Sequence, residues 1–218
     1  MYQDLLHELN ASGVTLVAVS KTKPVEDLME AYQSGVRDFG ENYVQELTEK
    51  QIQLPTDIRW HYIGHLQTNK VKYIAPFVHL IHGVDSEKLL MEINKQGLKN
   101  NRTINCLLQV HISSEETKFG FDENELLHLI EKLKDSNIGL ENIRICGLMG
   151  MASFTDNQQL VAQEFATLKK LFDQLKETVA TNIECRILSM GMSNDYKIAI
   201  DNGSNMIRIG SMLFGARK

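Results

Sequence analysis

Proline is scarce in this chain, with three in 218 residues, and no stretch rich in proline, glycine or serine interrupts it. That excludes an obvious interdomain linker, and residues 1–218 read as a single domain, long enough to bury a core without disulfides or metals. Cysteine is as sparse. Cys106, Cys146 and Cys185 are odd in number, far apart and set among apolar neighbours, which reads as reduced structural thiols and argues against a disulfide framework or a metal site. No apolar run approaches bilayer thickness, and the opening MYQDLLHELN lacks the positive start and apolar core of a secretory signal. A soluble, cytoplasmic protein with no membrane partner is expected. The net charge is only −5 and the basic residues are scattered, so no nucleic-acid surface is expected either. With 43% hydrophobic and 23% charged residues, disorder has no compositional support.

Short apolar, β-branched runs bounded by turn residues recur along the chain. They predict strands at 14–20, 37–42, 59–64, 78–85, 104–113, 143–152, 185–193 and 206–215. Segments of helical periodicity lie between them. PVEDLMEAYQSG begins with Pro24 and closes on Gly35, DSEKLLMEINKQG closes on Gly97, and DENELLHLIEKLKD and DNQQLVAQEFATLKKLFDQLKETV are longer. Shorter helices fit NYVQELTEKQIQ, LQTNKVKYIA and NDYKIAIDNG. Such alternation predicts an α/β fold with a parallel sheet, and eight strands in this length fit a (β/α)8 TIM barrel. A doubly wound sheet is the alternative, but the glycine-rich dinucleotide fingerprint is missing after the first strand. P-loop and Gly-x-Ser-x-Gly signatures are missing too.

In a barrel, chemistry gathers at the C-terminal ends of the strands. The first strand runs directly into Lys21, in TLVAVSKTKPVED. A turn lysine is commonly just solvated; one that follows a buried strand is a candidate Schiff-base former, because desolvation makes the neutral amine accessible. Lys23, already leaving the strand, is the weaker candidate. Glu41 and Asn42, His61 and His65, Asp85, Ser193, Arg208 and Ser211 fall at other strand ends. SMGMSND and RIGSMLFGAR place glycines and hydroxyls after strands 7 and 8, where barrels often bind phosphate on loop amides, and Ser193 is placed to cap the helix that follows. The same glycines also suit plain tight turns. Arg208, between Ile207 and Ile209, needs a ligand or a carboxylate partner such as Glu41 or Asp85. The histidines lack the spacing of a metal site.

Taken in order, VAVSKTKP, FGENYVQE, WHYIGHLQTNK, GLMGM, LSMGMSND and IRIGSMLFGAR resemble the pyridoxal phosphate (PLP) homeostasis proteins, PLP-binding proteins related to the alanine racemase N-terminal domain. The resemblance runs from about Val14 to the C-terminus. It implies a fold-type III PLP-binding barrel without the second domain of the racemases. By position, it makes Lys21 the residue that holds the cofactor as a Schiff base, with Asn42 and His61 lining the pocket. Met192, Ser193, Gly210 and Ser211 match the phosphate-binding loops, and Arg208 matches the arginine facing the pyridine nitrogen. The segment before the first strand is short, and His65, Tyr196 and Lys197 depart from the family's usual residues, which bears on entry loops and partners.

The implied function is a non-catalytic carrier that buffers PLP in the cell and delivers it to apo-enzymes. The competing reading is an amino-acid racemase, which needs a second acid or base opposite the lysine. Tyr43, Tyr62 and Tyr196 are the candidates for that role, and alanine racemase takes its tyrosine from a domain this sequence lacks. A third reading is a barrel that binds another phosphorylated metabolite without a covalent bond. The chain is expected to act as a monomer, because no helix shows an unpaired apolar face.

Overall fold

Eight parallel strands close on one another in the order β1 to β8, with β1 pairing β8, in a computed structural model that describes residues 2–114, 119–134 and 139–215. Asp135, the end of one expected helix, and Ala216 and Arg217 of the last motif lie outside the described residues. The strands are β1 (Thr15–Val19), β2 (Asp38–Glu41), β3 (Arg59–Tyr62), β4 (Leu80–Val84), β5 (Ile104–Val110), β6 (Ile143–Gly150), β7 (Ile183–Ser189) and β8 (Met206–Ile209). Helices α1 (Tyr2–Ala11), α2 (Val25–Gln33), α3 (Val44–Gln51), α4 (Val71–Ile74), α5 (Glu87–Lys99), α6 (Glu123–Leu133), α7 (Gln158–Lys176), α8 (Tyr196–Asp201) and α9 (Ser211–Phe214) accompany them. The (β/α)8 barrel read from the alternation is the fold observed.

Most strands are shorter than the apolar runs suggest, so the polar residues at their ends lie in loops. The largest change is at the last strand. The expected 206–215 run stops at Ile209, and Gly210 turns the chain into α9, whose first carbonyl, Gly210 O, accepts from Leu213 and Phe214 N–H at 2.9 Å. Ser211 therefore opens a helical turn instead of extending a strand. Helix α5 errs in the other direction: it runs through Gly97 to Lys99. A Cβ at Gly97 would stand 2.5 Å from Asn142 O, so this glycine lets the helix lie against the neighbouring backbone and does not end it.

Local signals explain the helices. Asp122 and Glu125 form a reciprocal capping box at the start of α6, and Asn157 caps α7 through Leu160 N. Each long helix buries an apolar stripe, such as Leu126, Leu129, Ile130 and Leu133 on α6. That stripe joins the main core, which fills the layer between strands and helices. A second, smaller cluster lies inside the barrel, built from Val17, Leu80, Leu107, Cys146, Met149 and Met206. The rest of the interior is polar: Asp38, His61, His82, Gln109, Ser189 and Arg208 are all buried.

Candidate functional site

A cavity of about 540 Å³ opens at the C-terminal end of the barrel. Seven of the eight residues expected at the site line it: Lys21, Asn42, Met192, Ser193, Arg208, Gly210 and Ser211. They come from the ends of β1, β2, β7 and β8, which the closed barrel brings to one rim. His61 is not among them. It lies deeper, fully buried, and borders a separate cavity at the N-terminal end of the barrel. The structure does not place it at the upper cavity as expected: the ring turns down to Asp38 and His82, and Ile63, just beyond β3, lines that cavity.

Lys21 sits in a turn that is clamped from behind. Lys50, buried on α3, donates to Ser20 O, Glu41 Oε1 and Glu46 Oε1, each at 2.7 Å. Ser20 Oγ donates to Glu41 Oε1 at 2.7 Å, and the Thr22 amide donates to Glu46 Oε1 at 2.6 Å. Both peptide flanks of Lys21 are thus tied to one buried ionic cluster. Thr22 has a φ of +64°, a conformation costing a non-glycine residue about 1 kcal/mol or more, and the cluster holds it there. Burial raises the Glu41 carboxyl above its ordinary pKa, while the Lys50 ammonium and the Ser20 hydroxyl pull the other way. Glu41 therefore faces away from the cavity and serves the loop behind it. Lys23 lines the cavity, with Nζ donating to Phe214 O at 2.6 Å.

Arg208 has neither of the carboxylate partners that its sequence context allowed. Glu41 pairs with Lys50, and Asp85 pairs with His65 at 2.8 Å. The guanidinium instead donates to Ser189 O (2.9 Å), Ser189 Oγ (2.7 Å) and Gly150 O (3.0 Å). Burial pulls its pKa down to about 10, partly offset by Asp195, so it stays cationic at neutral pH. An uncompensated buried cation facing a cavity is suited to an acceptor or an anion. At the end of β2, Asn42 Oδ1 is buried with no hydrogen-bond partner among the described residues, a polar atom left for something in the cavity.

The rim after β7 and β8 carries hydroxyls. Ser211 Oγ donates to Ser193 Oγ at 3.2 Å, beside the first turns of α8 and α9. Ser193 does not cap α8, as its position suggested. Asp195 takes the N-cap position, and its carboxylate accepts from the Met192 amide at 2.6 Å, which occupies one of the amides expected to bind phosphate. Gly191 makes this turn with a φ of +99°, and its carbonyl accepts from Arg208 N–H at 3.0 Å.

Two supporting residues were not singled out from the sequence. Glu164, buried on α7, accepts from Ser153 N (2.7 Å), Ser153 Oγ (2.6 Å) and Ser114 N (3.1 Å), and so ties down the loops after β5 and β6. Lys50 does the same for the loop after β1. Each is a charged residue within the apolar stripe of its helix, beside Val161 and Leu168 or beside Leu47, and that mismatch was the available signal.

Fold and site together define a barrel of the alanine racemase N-terminal-domain class, and residues 3–218 match that domain. The chain belongs to the pyridoxal phosphate homeostasis protein family. It is 41% identical over 211 residues to the pyridoxal phosphate homeostasis protein of Pasteurella multocida, covering 94% of this chain and 88% of that protein. Among solved structures, PipY of Synechococcus elongatus PCC7942 with PLP bound matches with a TM-score of 0.86 at 32% identity, covering 99% of this chain and 100% of PipY. An alanine racemase from Bartonella henselae with covalently bound pyridoxal phosphate gives a TM-score of 0.72 at 17% identity, covering 99% of this chain and 58% of the racemase. That second likeness is one of fold.

Proposed function

We propose that this protein binds PLP in the upper cavity through Lys21 and serves as a single-domain, monomeric carrier in intracellular PLP homeostasis, releasing the cofactor to apo-enzymes. The observation that carries the reading is the set of groups converging on one cavity: an amine, an orphaned buried amide oxygen, facing serine hydroxyls and a buried arginine without a carboxylate. These fit the aldehyde, the phenol oxygen, the phosphate and the ring nitrogen of PLP. The buried free thiols Cys106 and Cys146 suit a reducing, cytoplasmic setting.

Bound PLP supplies an aldehyde that condenses with an amine and a ring that can draw electrons from the adduct. Lys21 would hold the aldehyde carbon through its amine nitrogen, reversibly. Asn42 can exchange a hydrogen bond with the ring hydroxyl, and Ser193 and Ser211 can donate to phosphate oxygens. Arg208, beside the ring nitrogen of a bound cofactor, would disfavour protonation there and weaken the ring as an electron sink. That restraint supports carriage over carbanion chemistry.

Racemisation needs a second acid or base facing Lys21. Among the described residues no tyrosine lines the cavity. Tyr62 donates to Asn42 O (2.9 Å) and His65 O (3.1 Å), and its hydroxyl is raised to about 12, chiefly by burial. Tyr43 is 59% exposed beside a different cavity, and Tyr196 packs against the core. The test is to load the protein with PLP, remove the excess, and mix it with an apo-transaminase, assaying D-alanine formation in parallel. Recovery of transaminase activity without racemisation is expected. Retained cofactor with sustained D-alanine formation would overturn the carrier reading.

A further inference from the structure

Barrels of this kind usually pack branched apolar side chains in layers along the axis. Here a line of polar groups crosses the interior, below the upper cavity, from Arg208 on β8 to Asp38 on β2. Arg208 Nη1 donates to Ser189 Oγ at 2.7 Å. A guanidinium can only donate, so the hydroxyl accepts and has one proton to give. A hydroxyl oxygen can accept twice, so the direction is set from the other end. His61 Nε2–H donates to ionised Asp38, and with both imidazoles neutral His82 Nδ1, 3.1 Å from Ser189 Oγ, accepts the serine proton and carries its own proton on Nε2. Nε2 lies 2.9 Å from His61 Nδ1 and donates to it, so His61 carries its proton on Nε2 as well. That nitrogen is 2.9 Å from Asp38 Oδ1.

Asp38 ends the line as an acceptor. Burial would raise its carboxyl, but hydrogen bonds from His61 and from Arg59 (2.7 Å to Oδ1, 2.5 Å to Oδ2) outweigh it and hold it at about 2. His82 is driven well below its ordinary value, chiefly by its complete burial, with the Arg208 charge adding to the effect, so it is neutral. With a donor-only group at one end, an acceptor-only group at the other and both imidazoles neutral, every proton between them has one consistent position.

We infer that Asp38, His61, His82 and Ser189 form a one-way hydrogen-bond relay that positions the Arg208 guanidinium beneath the cavity. The relay presents the Ser189 hydroxyl to Arg208 as an acceptor. Three of the five N–H groups of Arg208 are then used on Ser189 and Gly150, and the remaining Nη2–H and Nε–H have no protein acceptor among the described residues. Those two are available to an unprotonated ring nitrogen; this last step rests on the proposed function. His61 would thus act on the cofactor only through His82, Ser189 and Arg208, and His61, His82 and Ser189 are positioning residues for Arg208.

Two measurements test it. Long-range proton–nitrogen NMR of the cofactor-free protein should show His61 and His82 neutral, each protonated at Nε2, with a coupling across the His82 Nε2–H to His61 Nδ1 hydrogen bond. A proton on Nδ1 of either ring would overturn the relay. In the PLP-loaded protein, Ser189→Ala and His82→Phe should each shift the visible absorption maximum in the same direction and weaken PLP uptake about tenfold, as expected for loss of one hydrogen bond to a charged group. Ser189→Thr should restore both, and the double variant should lose no more than the worse single one. Far-UV circular dichroism identifies variants that fold, and Ser189→Ala, the mildest change, keeps the test open if His82→Phe does not. A folded His82→Phe or Ser189→Ala protein with an unshifted absorption maximum, or fully additive losses, would overturn the relay. If the unaltered protein takes up no PLP, the functional reading falls, and the histidine protons still decide the relay.

Discussion

Replacing Lys50 with methionine probes how the lysine loop is held. In the native protein Glu41 is fully buried, with Oε1 contacted by Lys50 and Ser20 and Oε2 unpartnered. Lys50→Met leaves that carboxylate without its cation. Breaking a buried pair from one side costs about 3–5 kcal/mol, which for a chain of this length lowers the melting temperature by about 6–20 °C. The sign of the pH dependence follows from Glu41. Its folded pKa is already raised by burial, against the pull of Lys50, and loss of Lys50 raises it further. A carboxyl raised on folding favours the folded state when protonated, so stability falls as pH rises from the unfolded value through the folded one. The deficit of Lys50→Met against wild type is therefore larger at pH 8 than at pH 5, measured by urea denaturation. Adding Glu41→Gln, which needs no cation, should recover most of the loss. A deficit below about 1 kcal/mol that is the same at both pH values would refute the buried-cluster account.

Arg208→Ala should leave the far-UV circular dichroism intact while weakening PLP uptake at least tenfold, because Arg208 has no ion pair to lose; an unfolded variant would show that its bonds to Ser189 and Gly150 hold the barrel closed. Glu164→Gln should speed hydrogen exchange at the Ser153 and Ser114 amides, which the carboxylate accepts, and unchanged exchange would mean that these loops are fixed elsewhere. Gly191→Ala should destabilise the protein by about 1–3 kcal/mol, since φ is +99° there and the new Cβ would stand 2.6 Å from that of Ala199; a neutral variant would contradict the turn geometry.

Strand and helix alternation made the barrel legible because each period reports burial directly, and the polar residues that interrupt apolar runs marked its functional end. Depth along the axis is another matter. His61 points inward but lies below the upper cavity, whose lining includes Ile63 just beyond β3. Layer assignment depends on how neighbouring strands stagger around the closed sheet, such as Gly40 opposite His61, and no single strand carries that information. Glu41 and Asn42 show the same limit from the other side. Both stand at the end of β2, but adjacent residues face opposite ways, so Asn42 lines the cavity and Glu41 serves the Lys50 cluster behind the loop. Gly97 reads as a helix terminus because a glycine's sequence position cannot distinguish a left-handed turn from a close backbone approach. The Ser189 to Asp38 relay was invisible for a related reason: it joins β7 to β4 across the barrel, between residues 107 positions apart.

The central claim is that Lys21 carries PLP, and borohydride reduction of the PLP-loaded protein followed by peptide mapping tests it most directly. The account predicts loss of a visible absorption band and a single reduced adduct on Lys21, absent from Lys21→Ala and retained in Lys23→Ala, whose amine is engaged with Phe214 O. An adduct on Lys23 or another lysine, or no adduct in the presence of excess PLP, would contradict it.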